Sequence, residues 1–270
     1  ETEVELSGTL AVDVATTDVT ALTVADTNDV TITGDALLQE VSVTSATAND
    51  SVSLNLANTD TDVTVDMDDA AGTTANSLTV TAGGSVALEA NDVDVLTLTG
   101  TGAALSVALS GANDAAAVNV TGDQSVTITA DKDALGGMTL SDSSTSGTTS
   151  VVATGGDFNA AGLGVLSGTL DVSGAGLNAA VQGLLSGNTV NMGGNAGVSF
   201  VVGNDSAADE ITINADGITG VVTDVSGFET INLTGNDAGA TALDITVDPS
   251  TGNDTSISWV SSENDITLDL

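Results

Sequence analysis

The sequence has no cysteine, histidine, arginine or tyrosine, one lysine and one proline. Each absence removes a class of chemistry. Without cysteine there are no disulfides, zinc–thiolate sites or thiol nucleophiles, and the lack of a stray thiol suits export. Without histidine, general acid–base catalysis at neutral pH and Ser-His triads lose their usual base. Lys132 alone cannot replace the counterions of nucleic acid or hold an anionic membrane surface. No apolar run reaches the roughly eighteen residues of a spanning helix. Aromatics make up 1% of the chain, too few to wall a row of sugar subsites. Together these absences point away from an enzyme.

What is present is carboxylate and short β-pattern. Asp and Glu total 38 of 270 residues, and the formal net charge is −37. Such self-repulsion opposes compaction unless it is screened. The chain is nevertheless 41% hydrophobic with positive mean hydropathy, which is not the composition of a disordered polyanion. A core of Val, Leu, Ile and Ala is available, with the carboxylates outside it. Carboxylates without cationic partners call for cations from solvent, and Ca²⁺ is the hard, oxygen-seeking candidate.

Apolar and polar residues alternate in short runs such as "VTIT" at Val30, "VSLNL" at Val52, "LTVT" at Leu78, "LTLT" at Leu96 and "VTIT" at Val126. Val, Ile and Thr dominate them, and Gly, Asn, Asp and Ser separate them. Strand centres recur about every ten residues. This spacing predicts an all-β chain, either a parallel β-solenoid (β-helix) or a tandem β-sandwich. The scarcity of aromatics favours the solenoid, whose thin interior wants uniform aliphatic side chains.

Three zones follow. Residues 1–135 hold the regular β-repeat. Residues 136–195 are looser and rich in Gly and Ser, and Leu177, Val181, Leu184 and Leu185 lie at helical spacing before Gly187, which predicts one short helix. Residues 196–270 form a C-terminal β-region or cap containing Phe200, Phe228 and Trp259. The opening "ETEVEL" has no secretory character. A removed signal, a longer parent chain and a different export signal all fit it.

The dipeptide Asn-Asp recurs eight times, usually where a strand pattern ends. An Asn-Asp turn offers neighbouring side-chain oxygens, and a preceding Gly lets the backbone bend around an ion. The Gly-Asn-Asp turns make Asp205, Asp237 and Asp254 the first candidate Ca²⁺ ligands. Asp114, the pair Asp92 and Asp94, and Asp66 and Asp68 in "DMDD" complete the set, with further acidic clusters at Asp60/Asp62 and Asp131/Asp133. The plainer alternative is that Asn and Asp simply make good Asx turns in solvent.

The segment "VSGFETINLTGNDAGATALDITV", residues 225–247, resembles the repeated stretches of RTX-type bacterial S-layer proteins and related surface adhesins exported by type I secretion. The resemblance implies a Ca²⁺-rich β-solenoid that self-assembles at the cell surface. It also implies structural corner roles for Gly227, Phe228 and Glu229 and an ion-side turn at Asp237. The RTX nonapeptide itself is absent: "GGNAGVSFV" at Gly193 lacks its Asp. The expected function is therefore an extracellular, Ca²⁺-stabilised structural protein whose main partner is itself, with cell-surface polysaccharide as a further partner. An adhesin or stalk module and a polysaccharide-active solenoid enzyme are the alternatives.

Overall fold

The computed structural model describes residues 3–7, 10–13, 19–27, 29–45, 51–57, 60–67, 76–110, 117–174, 180–191, 199–202, 209–214, 222–234, 243–248, 256–260 and 266–269. These are almost all strand, and every strand pairing is parallel. The expected β-solenoid is the observed fold, with very little helix. Two compact units are present: Glu1–Thr129 with Gly137–Thr149, and Ala130–Gly136 with Ser150–Leu270.

The first unit has two strands per coil, so the ten-residue strand spacing corresponds to a coil of about twenty. One ladder stacks β1 (Glu3–Ser7), β3 (Ala21–Thr27), β5 (Glu40–Ser45) and β7 (Asp60–Asp66). The other stacks β2 (Leu10–Asp13), β4 (Val30–Gly34) and β6 (Ser51–Leu56). The long strands β8 (Ser77–Asn91) and β9 (Val95–Ser110) serve both ladders. Their first halves continue the ladder of β6 and their second halves that of β7. The chain turns between the halves of β8 at Gly83–Gly84, where Gly84 has φ +112°. Beyond them, β10 (Ala117–Gly122) and β12 (Thr139–Asp142) extend one ladder and β11 (Val126–Asp131) the other.

Stacked partners repeat the same chemistry, and this builds the core. Val30, Val52, Leu78, Leu96 and Val118 form one inward column, each at most 2% exposed. Ile32, Leu54, Val80, Leu98 and Val120 form the next. Period-two alternation puts every second side chain on one face, so the sequence pattern and the buried columns are one feature seen in one and three dimensions.

The second unit repeats the plan. One ladder contains β13 (Thr149–Thr154), β15 (Leu170–Gly174), β17 (Thr189–Asn191), β19 (Glu210–Asn214), β21 (Thr230–Thr234) and β23 (Ser256–Val260). The other contains β14 (Phe158–Asn159), β16 (Ala180–Leu184), β18 (Ser199–Val202), β20 (Val222–Ser226), β22 (Leu243–Asp248) and β24 (Ile266–Asp269). Phe158, Val181, Phe200 and Val225 are successive partners in that ladder and all are buried. Phe200 thus fills the core with a rung on either side of it. The side chain of Trp259 lies outside the described set.

The predicted helix around Val181 and Leu184 is not formed; both residues lie on β16. Their helix-like spacing has another cause. Gly183 adopts φ +71° and the register of β16 against β18 shifts between Val181 and Leu184. This bulge adds a residue, so positions three apart both point inward, and both are buried. Leu177 lies outside the described residues. Among the described residues, helix occurs instead at α1 (Lys132–Gly137) and as a single 3-10 turn, η1 (Ala161–Leu163). The Ser/Thr-rich stretch after Asp142 is a loop, as its composition suggests.

Candidate functional site

The outward faces of the first unit differ sharply in charge. On the ladder of β5, β7 and β8, outward positions carry Glu40, Asp60, Asp62, Asp66 and Glu89. Parallel register sets Glu40 directly beside Asp62, and both are exposed. Thr64 is beside Glu89, and Asp66 lies between Thr44 and Asn91. Like charges side by side on neighbouring strands are destabilising. No lysine or arginine on these strands offsets them.

The ladder of β4, β6, β8, β9, β10 and β12 presents the opposite character. Thr31, Ser53, Thr79, Thr97, Asn119 and Ser141 are successive partners in one outward column. Thr33, Asn55, Thr81, Thr99 and Thr121 make the column beside it. A flanking column holds Ser51, Ser77, Val95, Ala117 and Thr139. None of these positions from β4 to β12 is charged; Asp13 on β2, the partner of Thr33, continues the second column with a carboxylate. The Oγ1 atoms of Thr99 and Thr121 are 2.6 Å apart and hydrogen-bonded along the column.

The acidic turns have a definite structural role. Asp29 Oδ1 accepts from Ser51 N at 3.1 Å, Asp157 Oδ1 from Ala180 N at 2.7 Å and Asp94 Oδ2 from Asn76 N at 2.8 Å. Glu229 Oε2 accepts from Asp209 N at 2.8 Å. The partners in these bonds are 18 to 23 residues apart, one coil. Each carboxylate therefore receives the N–H at the start of a strand in the adjacent coil. Such charge-assisted bonds are stronger than neutral ones. Neutral amides do the same work. Asn76 Nδ2 donates to Asp92 O at 2.9 Å, and Asn188, buried, bonds to three backbone atoms. At the bend before β21, Gly227 has φ +82°, while Phe228 and Glu229 are buried.

Of the expected Ca²⁺ ligands, Asp66, Asp92 and Asp94 are described. Asp92 takes φ +55°, the left-handed conformation that Asp tolerates better than most residues. It follows Asn91, the partner of Asp66, so these two acidic residues come to one edge of the ladder. Asp94 is turned to Asn76 N. Asp68, Asp114, Asp205, Asp237 and Asp254 lie outside the described residues. Among the described residues, no three His, Cys, Asp or Glu side chains converge as a metal-ligating group. Sequence reasoning missed Glu40 as the neighbour of Asp62. Both are acidic residues on alternating strands, but only the register joins them.

Lys132 opens α1 with its Nζ 2.6 Å from Asp133 Oδ1. The hydrogen bond and charge of Asp133 raise its pKa above the ordinary 10.5, aided by Asp131 and Asp157. Asp131 Oδ1 accepts from Asp133 N and Ala134 N, capping the helix. The lone base is held by local carboxylates at the protein surface.

No family model matches the chain, and no curated protein or solved structure matches it either.

Proposed function

We propose that the chain is an extracellular structural protein that self-assembles into a surface layer or fibre, with Ca²⁺ bound among the carboxylates of its stacked coils. The observation that carries this reading is the register of Glu40 on Asp62, two unpaired carboxylates side by side in a chain of net charge −37. The residues fit a hard cation of modest affinity. Two carboxylates supply at most four oxygens of the six to eight that Ca²⁺ takes, and water completes the shell. Such sites belong to the weak extracellular class, with Kd on the order of 10⁻⁴–10⁻³ M. Asp60, Asp66 and the Asp92 turn are the neighbouring carboxylates that would share the ion load.

Bound Ca²⁺ has two consequences. It relieves repulsion within the coil stack, and at about a hundredfold excess over Kd each native-state site adds about 2.7 kcal/mol. It also lets two polyanionic surfaces approach, which is the requirement for a lattice of identical subunits. A coil stack held by hydrogen bonds from turn to turn suits a passive, load-bearing role. The resemblance of residues 225–247 to S-layer proteins points the same way.

The test is thermal unfolding and sedimentation velocity in EGTA at matched ionic strength, then with Ca²⁺ restored. The expected result is a lower melting point and smaller particles in EGTA, reversed by Ca²⁺ and only weakly by NaCl, which screens without chelating. Identical melting and sedimentation in both conditions would remove calcium from the proposal.

A further inference from the structure

We propose that α1 and Lys132 guard an open sheet edge: they occupy the rung before β14 and block a second copy of this chain from adding a strand there. The inference stands apart from Ca²⁺ binding.

The first ground is topology within the second unit. Its smaller sheet runs β14, β16, β18, β20, β22 and β24, with β14 as its first strand. Among the described residues, no strand pairs with the other side of β14. One coil earlier the chain passes this position as α1. Thr154 Oγ1 donates to Ala130 O at 3.2 Å across a separation of 24 residues. A Cβ on Gly155 would lie 3.9 Å from Lys132 Cγ, and one on Gly156 3.7 Å from Lys132 Cδ. Residues 130–132 and 154–156 are therefore successive turns of the stack, and α1 leads on from the first as β14 does from the second. A helix bonds its own N–H and C=O groups and cannot extend a ladder, so the sheet starts at β14.

The second ground is the edge itself. Ala160 N donates to Gln182 O at 2.6 Å, and Phe158 and Asn159 are in register with Val181 and Gln182. Successive residues of a strand bond to opposite neighbours. The N–H and C=O of Asn159 therefore point away from β16, toward the side of α1. Such an edge is a template for another strand. The ladders of this chain are parallel with apolar residues in register. A strand that continues one carries the same pattern, and a second copy supplies it.

The third ground is the chemistry of the guard. Sheet edges are blunted by a covering helix or by lysine. Both are present here, and this lysine is the only one in 270 residues that include no arginine. Asp133 holds its Nζ at 2.6 Å, and Asp131 and Asp157 add attraction. At six residues α1 is too short to persist alone. It depends on Asp131, whose carboxylate accepts from Asp133 N and Ala134 N, and on Leu135, its buried anchor. Loss of the anchor releases the guard.

The experiment uses the full chain in EGTA and high NaCl, where the charge of −37 is screened and no Ca²⁺ bridges form. Sedimentation velocity and thioflavin T fluorescence give the protein concentration at which copies associate. Leu135→Asp detaches α1, whereas Lys132→Thr removes the charge and leaves the helix. Leu38→Asp, which buries the same group at a turn of the first unit, is the control for general destabilisation. Asn159→Pro, added to Leu135→Asp, deletes the N–H on the open edge. Far-UV circular dichroism and melting establish that each variant is folded at the assay temperature. The expected result is association of Leu135→Asp at least about tenfold below the wild-type concentration, with a smaller shift for Lys132→Thr and none for Leu38→Asp. Asn159→Pro should restore the wild-type threshold. A folded Leu135→Asp with the wild-type threshold overturns the inference. So does equal association of Leu38→Asp, or association that Asn159→Pro leaves unchanged. Should Leu135→Asp not fold, Lys132→Thr with and without Asn159→Pro carries the comparison, and an unchanged threshold there overturns it.

Discussion

Asn188 tests whether side-chain bonds between coils hold this fold. The residue is 1% exposed. Its Oδ1 accepts from Leu166 N at 3.0 Å, and its Nδ2 donates to Gly164 O at 3.0 Å and Leu185 O at 2.9 Å. One amide thus satisfies the adjacent coil and its own turn. Asn188→Ala removes all three bonds. At about 1 kcal/mol net for each of the three bonds, with a further penalty of about 1–3 kcal/mol for the buried Leu166 N–H left unpaired, the loss is about 4–6 kcal/mol. That is a large part of a typical total of roughly 5–15 kcal/mol. For a chain of this size it lowers the melting point by about 8–24 °C. Asn188→Asp separates bonding from shape. It keeps the acceptor for Leu166 N but sets an oxygen against two carbonyl oxygens and buries a charge. It should therefore be less stable than Asn188→Ala, although it is nearly isosteric. Both variants are read by thermal and urea unfolding, followed by far-UV circular dichroism and by the fluorescence of the single tryptophan. Asn188→Asp melting within about 2 °C of wild type would refute the reasoning, because the two donated bonds would then contribute nothing.

Two other substitutions act in opposite directions. Thr61 is 1% exposed, its partner on β8 is Val86, and its hydroxyl has no hydrogen-bond partner. Thr61→Val should stabilise by about 1 kcal/mol, seen as a raised urea midpoint, since it removes a buried unsatisfied group at nearly constant volume; a lowered midpoint would mean that the hydroxyl is satisfied. Gly183→Ala meets a left-handed φ of +71° and the side-chain oxygen of Asn159. It should cost about 2–4 kcal/mol in the same assay, and a neutral result would show that the bulge in β16 is dispensable.

Much of the fold is legible in the residues alone. Period-two alternation of Val, Ile, Leu and Thr marks the strands, and the poverty in aromatics favours a thin interior. Stacking Val30 on Val52 on Leu78 then needs only that like strands meet. The excess of carboxylate was equally plain, as was the likelihood of turn chemistry at Asn and Asp. Composition and local pattern determine these features because they depend on residues within a few positions of one another.

Register was decided only by the tertiary structure. Partners lie eighteen residues apart from Val4 to Leu22 but twenty-six apart from Val52 to Leu78. With coils of such unequal length, no fixed period in the sequence assigns a neighbour. Hence Glu40 meets Asp62, while Thr79 meets Thr97. Hence also Asp94, which reads locally as a free turn carboxylate, binds a backbone N–H eighteen residues earlier. The spacing of Val181 and Leu184 misled for the same reason, since one glycine at positive φ turns an interval of three into two inward positions on a strand. Alternation tells which side chains face outward; coil length, set by turns far apart in the chain, decides which of them stand together, and so separates a charged face from a neutral one.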